Sequence, residues 1–128
     1  MGKLREKAEC PTRIIDWPLS VALVNKQSDL ASDLLKMMYN DLNEWIQEIT
    51  QAIQSHDDLL LRKHIHRLRG AACYCGLPNL KDHLCSMEYA IKNNHKELIT
   101  SIGAELIDAM QDVIIIYERD YQDNADKN

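Results

Sequence analysis

Apolar residues through the middle of the chain recur at alternating spacings of three and four, the period of a helix with one buried face. This pattern predicts five helices. A short one begins at the N-cap Asp16 and runs through Trp17-Pro18-Leu19 to Val24, with proline tolerated in its first turn. The second extends from Ser28 to Gln54 with Leu30, Leu34, Met38, Leu42, Trp45, Ile49 and Ile53 as its stripe. Ser55 and Asp58 read as a capping box for the third, which ends at Cys75 before Gly76. Beyond Pro78 a fourth helix carries Leu77, Leu80, Leu84, Met87 and Ile91. Asn94 and Glu97 suggest the cap of a fifth, with Ile99, Ile102, Leu106, Met110, Val113 and Tyr117 inward.

Helices this long joined by a few residues must run antiparallel to their neighbours. The expected fold is therefore all-α: an antiparallel up-down four-helix bundle with a short additional N-terminal helix lidding one end. It occupies residues 13–119, between a flexible N-terminal segment, 1–12, and a flexible C-terminal tail, 120–128. Composition agrees. The 128 residues are 45% hydrophobic and 27% charged, with few Gly and Pro and no Phe, which favours a single helical domain over sheet.

A net charge of −5 argues against nucleic acid as a partner, since binding a phosphate backbone needs a concentrated basic face. The longest apolar run, Val113 to Tyr117, is far shorter than the roughly 20 residues that cross a bilayer. No direct membrane contact is expected, and a cytoplasmic location is. There Cys10, Cys73, Cys75 and Cys85 should remain thiols. Cys75 and Cys85 read as small buried hydrophobes and Cys73 as a candidate exposed thiol.

The third helix holds the chemistry. Successive residues step about 100° around a helix, so Leu61, Ile65, Leu68, Ala72 and Cys75 share a sector of about 80° that must be buried. His66 falls about 140° from its centre and should face water, with Arg62, Lys63, Arg69, Gly70 and Cys73 as neighbours on the outer stripe. Gly70 lies about 180° away, so close packing does not explain it, although glycine inside a helix costs roughly 1 kcal/mol relative to alanine. What it does provide is room for another molecule beside the imidazole. Arginine and lysine on the same stripe suit an anion. An exposed histidine, a cleared approach and nearby cations together fit phosphoryl transfer better than a merely solvated surface.

His66-Arg67-Leu68-Arg69-Gly70 matches H-x-[LF]-[KR]-G, and the chain thereby resembles histidine-containing phosphotransfer (HPt) domains. The likeness continues at Gly76, ten residues past the histidine, at Leu80, Cys85 and Met87-Glu88, and in layout from about Ile14 to Ile116. Asp16-Trp17, the run Asp29 to Leu35 and the turn Cys73-x-x-Gly76-Leu77-Pro78 look most like the terminal domain of BarA/GacS-type hybrid sensor kinases. Cys73 stands where relatives more often have a smaller residue.

The resemblance implies a phosphorelay. His66 would accept a phosphoryl group from a receiver-domain aspartate and pass it to a response-regulator aspartate. Arg69, with Arg62 or Lys63, would screen it in transit. Mg²⁺ would come from the partner receiver, and this chain would hold no cofactor of its own. The partners would be receiver domains, met by a monomer. No nucleotide loop or kinase signature is present, so the chain reads as a phosphocarrier and not an ATP-dependent enzyme.

Other readings carry less. His64, His66, Cys73, Cys75 and His83 include metal-ligand types, but residues two apart on a helix point about 160° apart, which argues against chelation. His64 reads as a half-covered packing residue, and His56 and His95 as neighbours of helix starts. A helical adaptor that binds receivers without phosphate chemistry is the main alternative. A kinase dimerisation helix pair fits less well, since Arg67 follows the histidine where an acidic residue is typical.

Overall fold

The computed structural model describes residues 13–122. Among them are five helices and no strand: α1 Trp17–Leu23, α2 Ser28–Gln54, α3 Asp58–Ala72, α4 Pro78–Lys92 and α5 Lys96–Asp120. The four long helices close a ring in which α2 and α4 each pack against α3 and α5, while α1 lies on α2. This is the expected bundle with its additional short helix. The core contains Leu42, Ile49, Leu61, Ile65, Leu68, Leu80, Leu84, Met87, Leu106 and Met110. No helix of the described residues is long and apolar enough to cross a membrane.

The Asp16 cap is present, its carboxylate accepting from the Leu19 N–H at 3.1 Å. Two other caps differ from expectation. Asp57, not Ser55, caps α3 by accepting from Leu60 N at 3.1 Å, and His95, not Asn94, precedes α5. Ser55 and Asn94 instead serve the ends of the preceding helices. His56 and Asn94 adopt left-handed φ of 58° and 54°. The amide after each closes on the third carbonyl from the helix end, Asp57 N to Ala52 O and His95 N to Ala90 O, both 3.0 Å. Residue types that open a helix also suit the turn that closes one, so pattern alone displaced both boundaries. His56 accordingly belongs to the end of α2 rather than the start of α3. α3 itself ends at Ala72, so Cys73 to Cys75 form the turn beyond it.

The stripe of α2 also drifts. Each step of four residues advances about 40° past a full turn, so Leu30 to Leu42 walks about 120° around the helix. Ala31 and Leu35 are buried there, while Leu30 is exposed and Leu34 only partly covered. Cys85, expected in the core, is exposed; it lies about 140° from the centre of the α4 face that buries Leu80, Leu84 and Met87. Cys75 is buried, and burial pushes its thiol up to about 11.

The expected flexible segments 1–12 and, for the most part, 120–128 lie outside the described residues. Asp120 ends α5, and Tyr121 packs beyond it against Trp17 and Tyr117, with ring centroids 6.1 Å apart in both pairs. Gln122 Nε2 donates to Tyr39 Oη at 3.2 Å, and Tyr39 Oη donates to Glu118 at 2.6 Å.

Candidate functional site

Leu61, Ile65, Leu68 and Ala72 fix the rotation of α3 by burying one face, and Cys75 continues it in the turn. The opposite face is then obliged to meet solvent, and the His66 side chain is 82% exposed. One turn later a Cβ on Gly70 would meet nothing within 4 Å. The backbone there needs no glycine for packing or for positive φ, which leaves clear space as what the residue contributes.

A carboxylate of the neighbouring helix lies near the imidazole. His66 Nδ1 lies 3.8 Å from Glu88 Oε2 of α4, too long for a hydrogen bond and close enough for a charge to be felt. The other oxygen of the same carboxylate accepts from Arg69 Nη1 at 2.6 Å. With Nδ1 toward Glu88, the ring turns Nε2 away from α4. Arg69 is thus not a free cation waiting beside the histidine, because it is already engaged by Glu88.

Beside His66 an open groove of about 920 Å³ runs between α3 and α4. Leu59 and Leu60 form its apolar end, and Arg62, Lys63, Arg67 and Lys92 surround it with positive charge. Leu59 is 72% exposed and Leu60 42%, so two adjacent apolar side chains meet solvent at this end of the groove. Of the sequence-derived candidates, His66, Arg62 and Lys63 meet at this groove, Arg69 flanks the ring through Glu88, and Gly70 keeps its side open. Cys73 is half-buried at the end of α3 and does not line the groove. His64 is more covered than expected, its side chain 12% exposed; its buried Nδ1 has no hydrogen-bond partner among the described residues and lies 3.7 Å from Glu48 Oε1. Among the described residues no three His, Cys, Asp or Glu side chains converge as a ligand set.

Sequence reasoning assigned no role to Glu88, Leu59 or Leu60. The helical wheel of α4 puts Glu88 about 80° from the centre of its buried face, at an edge that pattern alone does not pair with a particular neighbour. Leu59 and Leu60 precede the first buried residue of α3 and carried no periodic signal.

Comparison with known proteins returns the same fold. The structure of the HPT domain from the Hpt sensor hybrid histidine kinase of Shewanella superposes with a TM-score of 0.78 at 30% identity, covering 83% of this chain and 92% of that one. Histidine-containing phosphotransfer protein B of Pseudomonas aeruginosa PAO1 shares the fold, with a TM-score of 0.73 at 18% identity over 88% of this chain and 96% of that one. The signal transduction histidine-protein kinase BarA of Shigella flexneri is 28% identical over 104 residues, 80% of this chain and 11% of its own length. Sensor protein GacS of Pseudomonas syringae pv. syringae is 33% identical over 81 residues, 63% of this chain and 9% of its own. The chain therefore spans about a tenth of the length of these curated relatives. Residues 33–114 match the Hpt domain, which includes the whole of α3 and α4, and the chain belongs to that family, related to phosphorelay proteins of two-component systems.

Proposed function

We propose that His66 is the phosphoacceptor of a multistep phosphorelay, taking a phosphoryl group from an aspartyl phosphate on one receiver domain and delivering it to an aspartate on another. The observation that carries this reading is an imidazole 82% exposed on α3, with open space at Gly70 one turn away.

The Nε2 lone pair attacks phosphorus, the P–O bond to the donor aspartate breaks, and its electron pair returns to that carboxylate. Nδ1 keeps its proton toward Glu88, so no proton need leave the site. The reverse sequence on a second receiver discharges the histidine. A divalent ion, when bound by the receiver, offsets the charge of the transferring group. The chain's own part is to present the nucleophile in line and to seat the receiver on Leu59 and Leu60, with Arg62, Lys63, Arg67 and Lys92 as the cationic rim. In this reading it is a carrier that works only with its receivers and has no kinase activity of its own.

The test is incubation with a phosphorylated receiver and Mg²⁺. Acid-labile, alkali-stable label on the wild type and none on a folded His66→Gln variant is the expected result. Equal labelling of the two would overturn it, and receiver binding without transfer from any donor would favour a helical adaptor instead.

A further inference from the structure

α2 and α3 pack side by side with opposite net charge. α2 holds Asp29, Asp33, Asp41, Glu44 and Glu48 against Lys36, and α3 holds Arg62, Lys63, Arg67 and Arg69 against Asp58. Glu48 Oε1 and His64 Nδ1, 3.7 Å apart, mark where the flanks of the two helices meet and set their register. At 100° per residue, Met37, Asp41 and Glu44 share the flank of α2 marked by Glu48, within a sector of about 60°. Leu60 and Arg67 share the flank of α3 marked by His64, again within about 60°.

The two helices are antiparallel, so four residues back from Glu48 and three on from His64 reach the same level, to within about 1.5 Å. That level holds Glu44 and Arg67, both exposed. Among the described residues neither side chain has a hydrogen bond or ion pair. Apolar groups stand uncovered on the same face, Met37 at 60% exposure and Leu60 at 42%. Tyr74, in the turn just past α3 and near the level of Met37, is 61% exposed.

We propose that this face pairs with a second copy of the chain, in place of the monomer the sequence suggested. A two-fold axis parallel to the helices keeps each residue at its level and exchanges the sides, so α2 of each copy lies on α3 of the other. Glu44 then meets Arg67 of the second copy, twice, and Met37 comes opposite Tyr74. An axis across the helices would instead set α2 against α2, acid on acid. Charge thus selects one arrangement and closes it at two copies. A footprint two helices wide and one α3 long is roughly 450 Å² per copy, at about 10 Å per helix width and about 1.5 Å per residue. That is smaller than a stable interface needs, so association is weak, half complete at protein concentrations on the order of 100 μM. Leu60, Lys63 and Arg67 also line the groove beside His66. A dimer therefore covers part of the receiver seat proposed above; that consequence rests on the proposed function, and the dimer itself does not.

Sedimentation equilibrium of the full chain, up to about 1 mM, reads the mass directly. Wild-type protein should approach the mass of two chains in about 20 mM salt, with association about tenfold weaker in about 500 mM. Glu44→Lys and Arg67→Glu should each weaken association at least about tenfold, since both pairs across the axis become like-charged. Mixed in equal amounts, the two variants should associate again as a heterodimer, because both pairs are then of opposite charge. Met37→Glu should weaken association without touching those pairs, and circular dichroism checks that each variant keeps its helices. Wild-type protein that stays monomeric at the highest concentration in low salt overturns the proposal, as does a mixture that associates no more strongly than either variant alone. If a charge variant does not fold, undiminished association of Met37→Glu overturns it. Mass is read without any phosphoryl donor, so failure here leaves the labelling of His66 as a separate question.

Discussion

The backbone N–H of Gly76 donates to the Ser20 hydroxyl at 2.9 Å, and the Gly76 carbonyl accepts from Asp16 N at 2.8 Å, so the turn after α3 is fastened to α1 by a reciprocal pair. A Cβ on Gly76 would lie 2.3 Å from Asp16 O and 2.5 Å from Ser20 Oγ. Backbone blocks that position, and the glycine is needed for close approach rather than for its φ. Gly76→Ala should therefore displace α1 and cost about 1–3 kcal/mol in urea unfolding, the usual penalty of overpacking. A variant as stable as the wild type would show that α1 is not anchored there.

Gly70 should behave in the opposite way. With open space at its Cβ position, Gly70→Ala should raise stability by about 0.5–1 kcal/mol through helix propensity alone. Gly70→Trp should fold yet lower transfer from a phosphorylated receiver more than about tenfold, because a misplaced partner loses in-line geometry. Labelling of His66 by phosphoramidate should survive the same substitution. Loss of both reactions together would point to damage at the ring rather than to a blocked approach.

Leu59 separates docking from folding. At 72% exposure it adds little to the core, so Leu59→Glu should leave the unfolding midpoint within about 0.5 kcal/mol of the wild type. Receiver affinity, measured by calorimetry, should fall about tenfold, as expected for an apolar anchor in an interface. Unchanged affinity would place the receiver elsewhere on the bundle.

Alkali should weaken the fold. Burial, and then the charges of Asp120 and Asp16, raise the Tyr121 phenol above its ordinary 10.0. The hydrogen bond donated to Glu118 raises Tyr39, and Cys75 is pushed up to about 11 from 9.0. A group whose folded value is raised contributes its full share below the unfolded value and loses it as pH climbs through the folded one. Urea midpoints should accordingly hold steady to about pH 8 and fall steeply by about pH 11, with a shallower fall in Tyr121→Phe. An identical slope in that variant would discount Tyr121.

The helices and the exposed histidine were legible in the sequence because both follow from angle: the 100° step places Ile65 inside and His66 outside whatever the neighbours do. Ser55 and Asn94 were misassigned because capping chemistry is shared between the end of one helix and the start of the next. Glu88 was illegible for a different reason. Its partnership with Arg69 depends on how α4 is rotated against α3, which is settled by side-chain packing across the bundle and leaves no trace in the spacing of either helix alone.

The distribution of charge on α3 bears on how a partner would arrive. Asp58 is the helix's single acidic residue against Arg62, Lys63, Arg67 and Arg69, on a chain whose total is −5. An acidic molecule approaching the bundle meets mild repulsion from the net charge and attraction over this basic face of α3, so collisions are oriented before contact is made. Such steering weakens as added ions shorten the reach of the field, so encounter would be fastest in dilute buffer while the chemistry at the ring, once contact is made, is far less affected.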